Sequence, residues 1–425
     1  DCLLSRGLGD VYKRQVRIRH DEVRCWPNLG HGRFGKGFRF ASLPFAHHEF
    51  DASRVRLADL DGSGAADLLY LESTGVRLFM NRCGFGLQAP VLQPWPAGVR
   101  YDRLCQVSAA DLQGLGCASL VLSVPHMQPR HWRLDFSARK PYLLERTDNH
   151  MGAVGTVEYR SSGQEWLDEK QELQQAGQPA VCHLPMTLHL VTRQTQLDEI
   201  TGNLLAQRMH YRRGHYDRHE RELRGFGLLL QTDSESARGD EDAHFTAPLL
   251  SKTWFHTGQY PAPARDDFYQ DPEAAVPGPD LLGHFDPASG HDLIVEPRDD
   301  AQRRAMAHAL SGSPIRSERY GLDDSPLRAV PYSVEQHRYL LRELAPASPQ
   351  QPYARLLPLA LESISLDYER QANDPRCQHN VHLAYDAFGQ ATHGVTVHCA
   401  RRRDVSDPPP FDSEHQQTWW RDAHD

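Results

Sequence analysis

The chain has 425 residues, more than one hydrophobic core usually organises, so two or three domains are expected. Hydrophobic residues make up 39% and charged residues 24%, an ordinary globular balance, and 47 basic against 56 acidic side chains leave a formal net charge of −9. That charge argues against a nucleic-acid surface, no window approaches the roughly 18 apolar residues of a membrane helix, and the runs Arg212–Arg213 and Arg401–Arg403 read as solvated surface charge.

Residues 1–15, DCLLSRGLGDVYKRQ, have no clear periodicity and read as a translated sequencing-library adapter, with the native part beginning near Val16 and further protein upstream. Nothing at the start reads as a signal peptide. Two copies of a strand-and-turn unit follow. VRCWPN (23–28) realigns with VRLFMN (76–81) at a shift of 53 positions, and each leads into a glycine-rich turn, GHGRFG (30–35) or CGFG (83–86). RLADLDGSGAADLLYL (56–71) recurs in decayed form as SAADLQGLGCASLVLS (108–123). A period near 50 built of short strands and glycine turns predicts β-propeller blades of about four strands, here only part of a propeller.

After residue 140 the repeat stops and alternating segments continue: 155–162, 186–198, 204–214, 226–234 and 379–402. Period-2 alternation predicts half-buried antiparallel strands. Two stretches read as helices. DDAQRRAMAHAL (299–310) opens on Asp and closes at Ser311-Gly312, and in SVEQHRYLLREL (333–344) Ser333 and Gln336 form a capping box. Residues 258–297 are rich in Pro, Asp and Gly and read as a long irregular connection. The fold class expected is mainly β: partial propeller blades, then an antiparallel-strand region.

One loop carries a chemical signal. Asp59, Asp61, Ser63 and Asp67 stand at relative positions 1, 3, 5 and 9, with Gly62 and Gly64 permitting a tight turn, a pattern that can wrap calcium in oxygen ligands. The loop is similar to those of calcium-binding blades of the FG-GAP or VCBS type. The plain alternative is an Asx-type turn that closes a blade. The second copy keeps Asp111 but has Gln113 and Ser119 at ligand positions, and is not expected to hold calcium.

The 24 His suggest zinc, but there is no HExxH, His47-His48-Glu49 and His219-Glu220 lack the i, i+4 spacing, and a GC-rich coding sequence accounts for the count. No GxSxG elbow, P-loop or GxGxxG site is present, so no catalytic residue is expected. Past the leader, the seven Cys are scattered without CxxC pairs, which predicts reduced, buried thiols and folding in a bacterial cytoplasm.

Several segments carry a family resemblance: KPYLLERTDNHMGAVGTVEYRSS (140–162), YRRGHYDRHERELRGFG (211–227), KTWFHTG (252–258), ALSGSPIRSERYGLDDSP (309–326), PYSVEQHRYLLREL (331–344) and LDYERQANDPRCQHNVHLAYDAFG (366–389). Together they resemble the TcdB-type B component of ABC-type insecticidal toxin complexes, over essentially all of 16–425 and in order.

The resemblance implies VCBS-like blades at 16–138, an Rhs-like shell in two parts at 139–240 and 241–405, and a tail at 406–425. It implies a secreted scaffold rather than an enzyme, assembled in the bacterial cytoplasm. Its partners would be an Rhs-type C component, whose cytotoxic segment it helps to enclose, and an A-component pore on which the propeller docks. The competing reading is a calcium-stabilised cell-surface or carbohydrate-binding propeller of the adhesin type. A metal-dependent hydrolase has only the histidine count behind it.

Overall fold

The computed structural model describes residues 2–4, 14–125, 128–237, 240–244, 246–265, 267–402 and 411–422. They fall into two units, the first made of 1–144 with 161–163 and 187–189, the second of the remainder.

The first unit is three small antiparallel sheets. One holds β1 (Cys2–Leu4), β2 (Arg14–Ile18), β3 (Glu22–Gly30), β4 (Arg33–Phe34) and β5 (Phe38–Ser42). The next is β6 (Val55–Ala58), β7 (Asp67–Leu71), β8 (Gly75–Phe79) and β9 (Val91–Pro94), in that order. The third is β10 (Gln106–Ala110), β11 (Ser119–Val124) and β12 (Arg130–Leu134). Residues 2–4 of the supposed leader pair with 16–18, and most of the rest of that segment lies outside the described residues.

Period-2 alternation explains the packing of these sheets. All five residues of β7 are buried. Leu68 and Tyr70 join Val16, Ile18, Val23, Cys25 and Phe40 of the first sheet, while Leu69 and Leu71 turn the other way onto Val107, Leu120 and Leu122 of the third. The realigned segments 23–28 and 76–81 occupy corresponding strands, β3 and β8. The Asp59 and Asp111 loops each join a strand to its antiparallel neighbour.

The second unit is one large sheet. Its strands are β13 (Arg146–Asp148), β14 (Ala153–Ser161), β15 (His189–Asp198), β16 (Asn203–Asp217), β17 (Glu222–Ala237), β18 (Asp240–His244), β19 (Leu249–Phe255), β20 (Leu281–Asp286), β21 (His291–Val295), β22 (Pro314–Gly321), β23 (Ser333–Ala345), β24 (Arg355–Asp367), β25 (Arg376–Tyr385) and β26 (Ala391–His398). The path runs β13-β14-β15-β16-β17-β19-β22-β23-β24-β25-β26, with β18 on β17, and with β20 joined to β21 and, in parallel, to β23.

The long hairpin β16–β17 shows why the segment 211–227 reads as it does. Asp217 accepts the N–H groups of His219 and Glu220 at 2.9 and 3.1 Å to make the turn. Gly225 sits at φ +86°, beside the register shift at His215/Tyr216. A Cβ on Gly214 would lie 2.6 Å from Leu184 Cδ1.

Helix α1 (Ser162–Gln175) precedes β15, α2 (Asp300–Ala309) follows β21, and α3 (Glu414–Asp422) closes the chain. The α2 helix agrees with the sequence, capped by Asp299 whose side chain accepts the N–H of Gln302 at 2.8 Å.

Five expectations are corrected. Residues 333–344 are strand, not helix: β23 pairs with β22 and β24. Its buried face includes the polar Gln336 and Arg342 beside Val334 and Leu340, so an apolar-only reading lost the period of two. Residues 258–297 are not wholly irregular. They contain the β20–β21 hairpin, turned by Asp286, which accepts from Ala288 and Ser289. The tail carries α3 where a connection was expected. Arg212 is not solvated: it is 8% exposed and bound by Glu165 and Glu172, while Arg401 pairs with Asp374 and Arg402 with Asp271. Among the thiols, Cys25, Cys105 and Cys117 are buried, but Cys83 and Cys182 are exposed.

Candidate functional site

The loop between β6 and β7 brings three of the four predicted ligands together. One carboxylate oxygen from each of Asp59, Asp61 and Asp67 lies within 4.8 Å of the others. Among the described residues this is the one grouping of three or more His, Cys, Asp and Glu so disposed. The glycines make the turn, Gly62 at φ +66° and Gly64 at φ +83°.

Backbone donors hold the carboxylates in place. Asp59 Oδ2 accepts the Gly64 N–H at 2.8 Å, and Asp61 Oδ1 accepts that of Ser63 at 3.0 Å. Asp67, fully buried, takes the N–H of Leu60 at 2.9 Å and of Asn81 at 2.7 Å. Ser63 turns its hydroxyl to the Ala65 N–H at 3.4 Å.

Burial raises the Asp67 carboxyl to about 6 against the two backbone donors, and the charges of Asp61 and Asp59 push the same way. Asp59 is also raised, again chiefly by burial.

Two side chains that the sequence reading did not single out close over the loop. Lys140 Nζ donates to the Gly62 carbonyl at 2.5 Å, and the Tyr142 hydroxyl donates to Asp61 Oδ2 at 3.3 Å. Both belong to the KPYLL stretch (140–144), which in sequence carries no sign of its contact with this loop. A Cβ at Gly62 would stand 2.7 Å from Lys140 Nζ and 2.8 Å from Cys117 Sγ, so a side chain there would have to shift both as well as adopt φ +66°.

The donor set fits a hard divalent cation. It is all oxygen, it carries three carboxylates, and Asp59 Oδ1 is buried with no hydrogen-bond donor. Lys140 supplies one compensating charge.

The second loop is built differently. Asp111 spends its oxygens on the N–H groups of Leu115 (2.9 Å) and Gly116 (2.7 Å) and on the Thr187 hydroxyl (3.0 Å), while Ser119 donates to Asp135 at 2.6 Å. It is a self-capped turn.

In the second unit a cleft of about 1260 Å³ is lined by His183, His215, Tyr260, Arg298, His308 and Tyr353 among others. No motif in the sequence marks it. Burial and the neighbouring His183 lower the His215 imidazole, which keeps it neutral.

Family models match two stretches, the middle/N-terminal region of insecticide toxin TcdB over residues 82–258 and the middle/C-terminal region over 305–425. Among solved structures, the chain is similar to the TcdB2–TccC3 crystal structure at 39% identity and TM-score 0.85, covering 96% of this chain and 20% of that one. It is similar to a chain of the Photorhabdus luminescens Tc holotoxin pore at 39% identity and TM-score 0.86, covering 96% of this chain and 19% of that one. The chain therefore spans about a fifth of the length of the solved chains it matches. No curated protein matches it.

Proposed function

The chain belongs to the insecticide toxin TcdB family, and from that premise we propose that it is a wall-forming part of the B component of a secreted toxin complex. The observation that carries the reading is likeness over 96% of the chain at 39% identity to a protein solved together with TccC3 and within a holotoxin pore.

The second unit supplies the wall, a sheet of 14 strands whose buried charges are paired across neighbouring elements. The partner is an Rhs-type C component, which with this wall encloses a cytotoxic segment. The three sheets of the first unit are read as blades of a propeller that docks on an A-component pore. The complex assembles in the bacterial cytoplasm and acts outside the cell. The role is structural, and no step of chemistry is assigned to this chain.

Calcium belongs to the same reading. Bound by Asp59, Asp61 and Asp67, it would neutralise three clustered carboxylates and fix the β6–β7 turn, stabilising the blade next to it.

The test is co-expression of the full-length protein that contains this chain with an Rhs-type C component. The expected result is one assembly that co-purifies through affinity capture and gel filtration. A full-length protein that elutes alone and binds glycans or cell surfaces would favour the adhesin reading instead.

A further inference from the structure

The last two strands of the large sheet, β25 and β26, run antiparallel with Gln378 opposite His398. One step outward, Cys377 stands opposite Cys399, and the Cys399 N–H donates to the Cys377 carbonyl at 2.9 Å. We propose that these two cysteines are a redox-sensitive pair that closes a disulfide across the terminal hairpin when the chain passes from a reducing to an oxidising environment. The compartment change rests on the secreted-scaffold reading; the cross-link does not.

Three observations support the pairing. Directly opposite residues in a hydrogen-bonded antiparallel pair have Cα atoms about 5.5 Å apart, within the range that a disulfide spans. Burial, and after it the neighbouring Cys399 thiol, raises the Cys377 thiol to about 11. Both are partly accessible and free.

The pair also sits where a clasp is useful. All eight residues of β26 are exposed and the strand has one neighbour in the described sheet. Cys377 packs beside the cluster of Val334, Ile364, Leu366 and Tyr368. A bond to Cys399 ties the outer strand to that cluster.

The bond closes under some strain. Cross-strand Cβ atoms lie about 4.5–5.5 Å apart, whereas a disulfide draws them to about 3.5–4.5 Å. Strained, accessible disulfides are the readily reduced ones, so the clasp is reversible.

A low-molecular-weight disulfide is the oxidant. The Cys399 thiolate attacks one of its sulfurs, giving a mixed disulfide and one released thiolate. Cys377 then loses its proton to solvent and attacks the Cys399 sulfur, releasing the second thiolate. Two protein thiols are oxidised and one disulfide is reduced to two thiols. Cys399 enters first because Cys377 packs against the apolar cluster of Val334, Ile364, Leu366 and Tyr368, surroundings that disfavour its thiolate.

The experiment uses the full-length wild-type protein, oxidised glutathione as the probe, trapping with N-ethylmaleimide, and peptide mapping without reductant. The expected product joins the peptides of Cys377 and Cys399 with loss of two hydrogens, and mild reductant reopens it. Amide exchange along β26 slows severalfold on oxidation. In Cys377→Ser, Cys399 is expected to retain glutathione as a stable mixed disulfide.

Recovery of both cysteines as maleimide adducts, while the exposed Cys83 and Cys182 are oxidised, would overturn the proposal. So would an unmodified Cys399 in Cys377→Ser. Failure to assemble with a C component would count against the scaffold reading and leave the cross-link result standing.

Discussion

Arg342 and Asp292 face each other as a bidentate pair, both arms at 2.7 Å, with the arginine side chain 1% and the aspartate 7% exposed. Arg342 also donates to the Asp386 carbonyl at 2.7 Å and lies over the Phe285 ring. The pair ties the β20–β21 hairpin to β23 and to the turn after β25. Removing one partner leaves a buried charge without compensation, which typically costs about 3–5 kcal/mol. Asp292→Ala should therefore destabilise the second unit by that order in chemical denaturation. The double change Asp292→Leu with Arg342→Met should lose less than Asp292→Ala alone. If the double variant is the weaker one, the pair is a net stabiliser rather than a locked charge.

Acid should weaken the second unit through His256. Burial, helped by the charge of Arg265, lowers this imidazole to about 4, and its Nε2 is 3.9 Å from Asp280. The unfolded chain takes up the proton near 6.5, the folded one only near 4. Stability from this group is thus complete above the unfolded value and is lost as pH falls from about 6.5 towards 4. The full effect is about 3 kcal/mol by the usual conversion of pKa differences. In urea titrations at several pH values, His256→Gln should have a shallower acid slope than wild type over that window. Parallel slopes would mean that His256 does not contribute to the acid sensitivity.

Calcium should raise the melting temperature of the wild type, and Asp61→Ala should abolish the response. A ligand at about 100 times its Kd stabilises the native state by about 2.7 kcal/mol. Asp111→Ala should retain the calcium response, because that carboxylate is engaged by Leu115, Gly116 and Thr187. Identical wild-type melting curves with calcium and with chelator would reduce the Asp59 loop to a turn.

The hairpin glycines should not tolerate side chains. Gly225→Ala places a Cβ at φ +86°, a conformation that costs an L-residue about 1–2 kcal/mol. Gly214→Val should cost more, because Leu184 Cδ1 stands 2.6 Å from where the Cβ would go. Thermal unfolding of the two variants would order them, and a neutral Gly214→Val would mean that Leu184 moves freely.

The sequence made strands legible wherever one face is apolar. The long hairpin at 203–237 alternates visibly, and β7 announces itself through DLLYL. It hid them where the buried face is charged. In β23, Gln336 and Arg342 sit inward, so the remaining apolar residues mimicked a helix. Helix α1 is hidden in the sequence for a related reason: its anchor is Glu165, 1% exposed and held by Arg160 and Arg212, rather than an apolar stripe. The β20–β21 hairpin was masked by the proline-rich stretch around it.

At the candidate site the spacing of Asp59, Asp61 and Asp67 was sufficient to bring the three together. Lys140 and Tyr142 were not foreseeable as neighbours, since contacts 78 and 81 residues apart in sequence depend on the fold.

A shell wall protects what it encloses, so protection of cargo separates the proposed scaffold role from any other. The full-length protein should be co-assembled with its C component and exposed to a broad-specificity protease, following the survival of the C component's cytotoxic segment. This segment should persist in the assembly and be digested quickly when the C component is treated alone. Equal digestion in both samples, with the assembly otherwise intact, would rule out a protective shell.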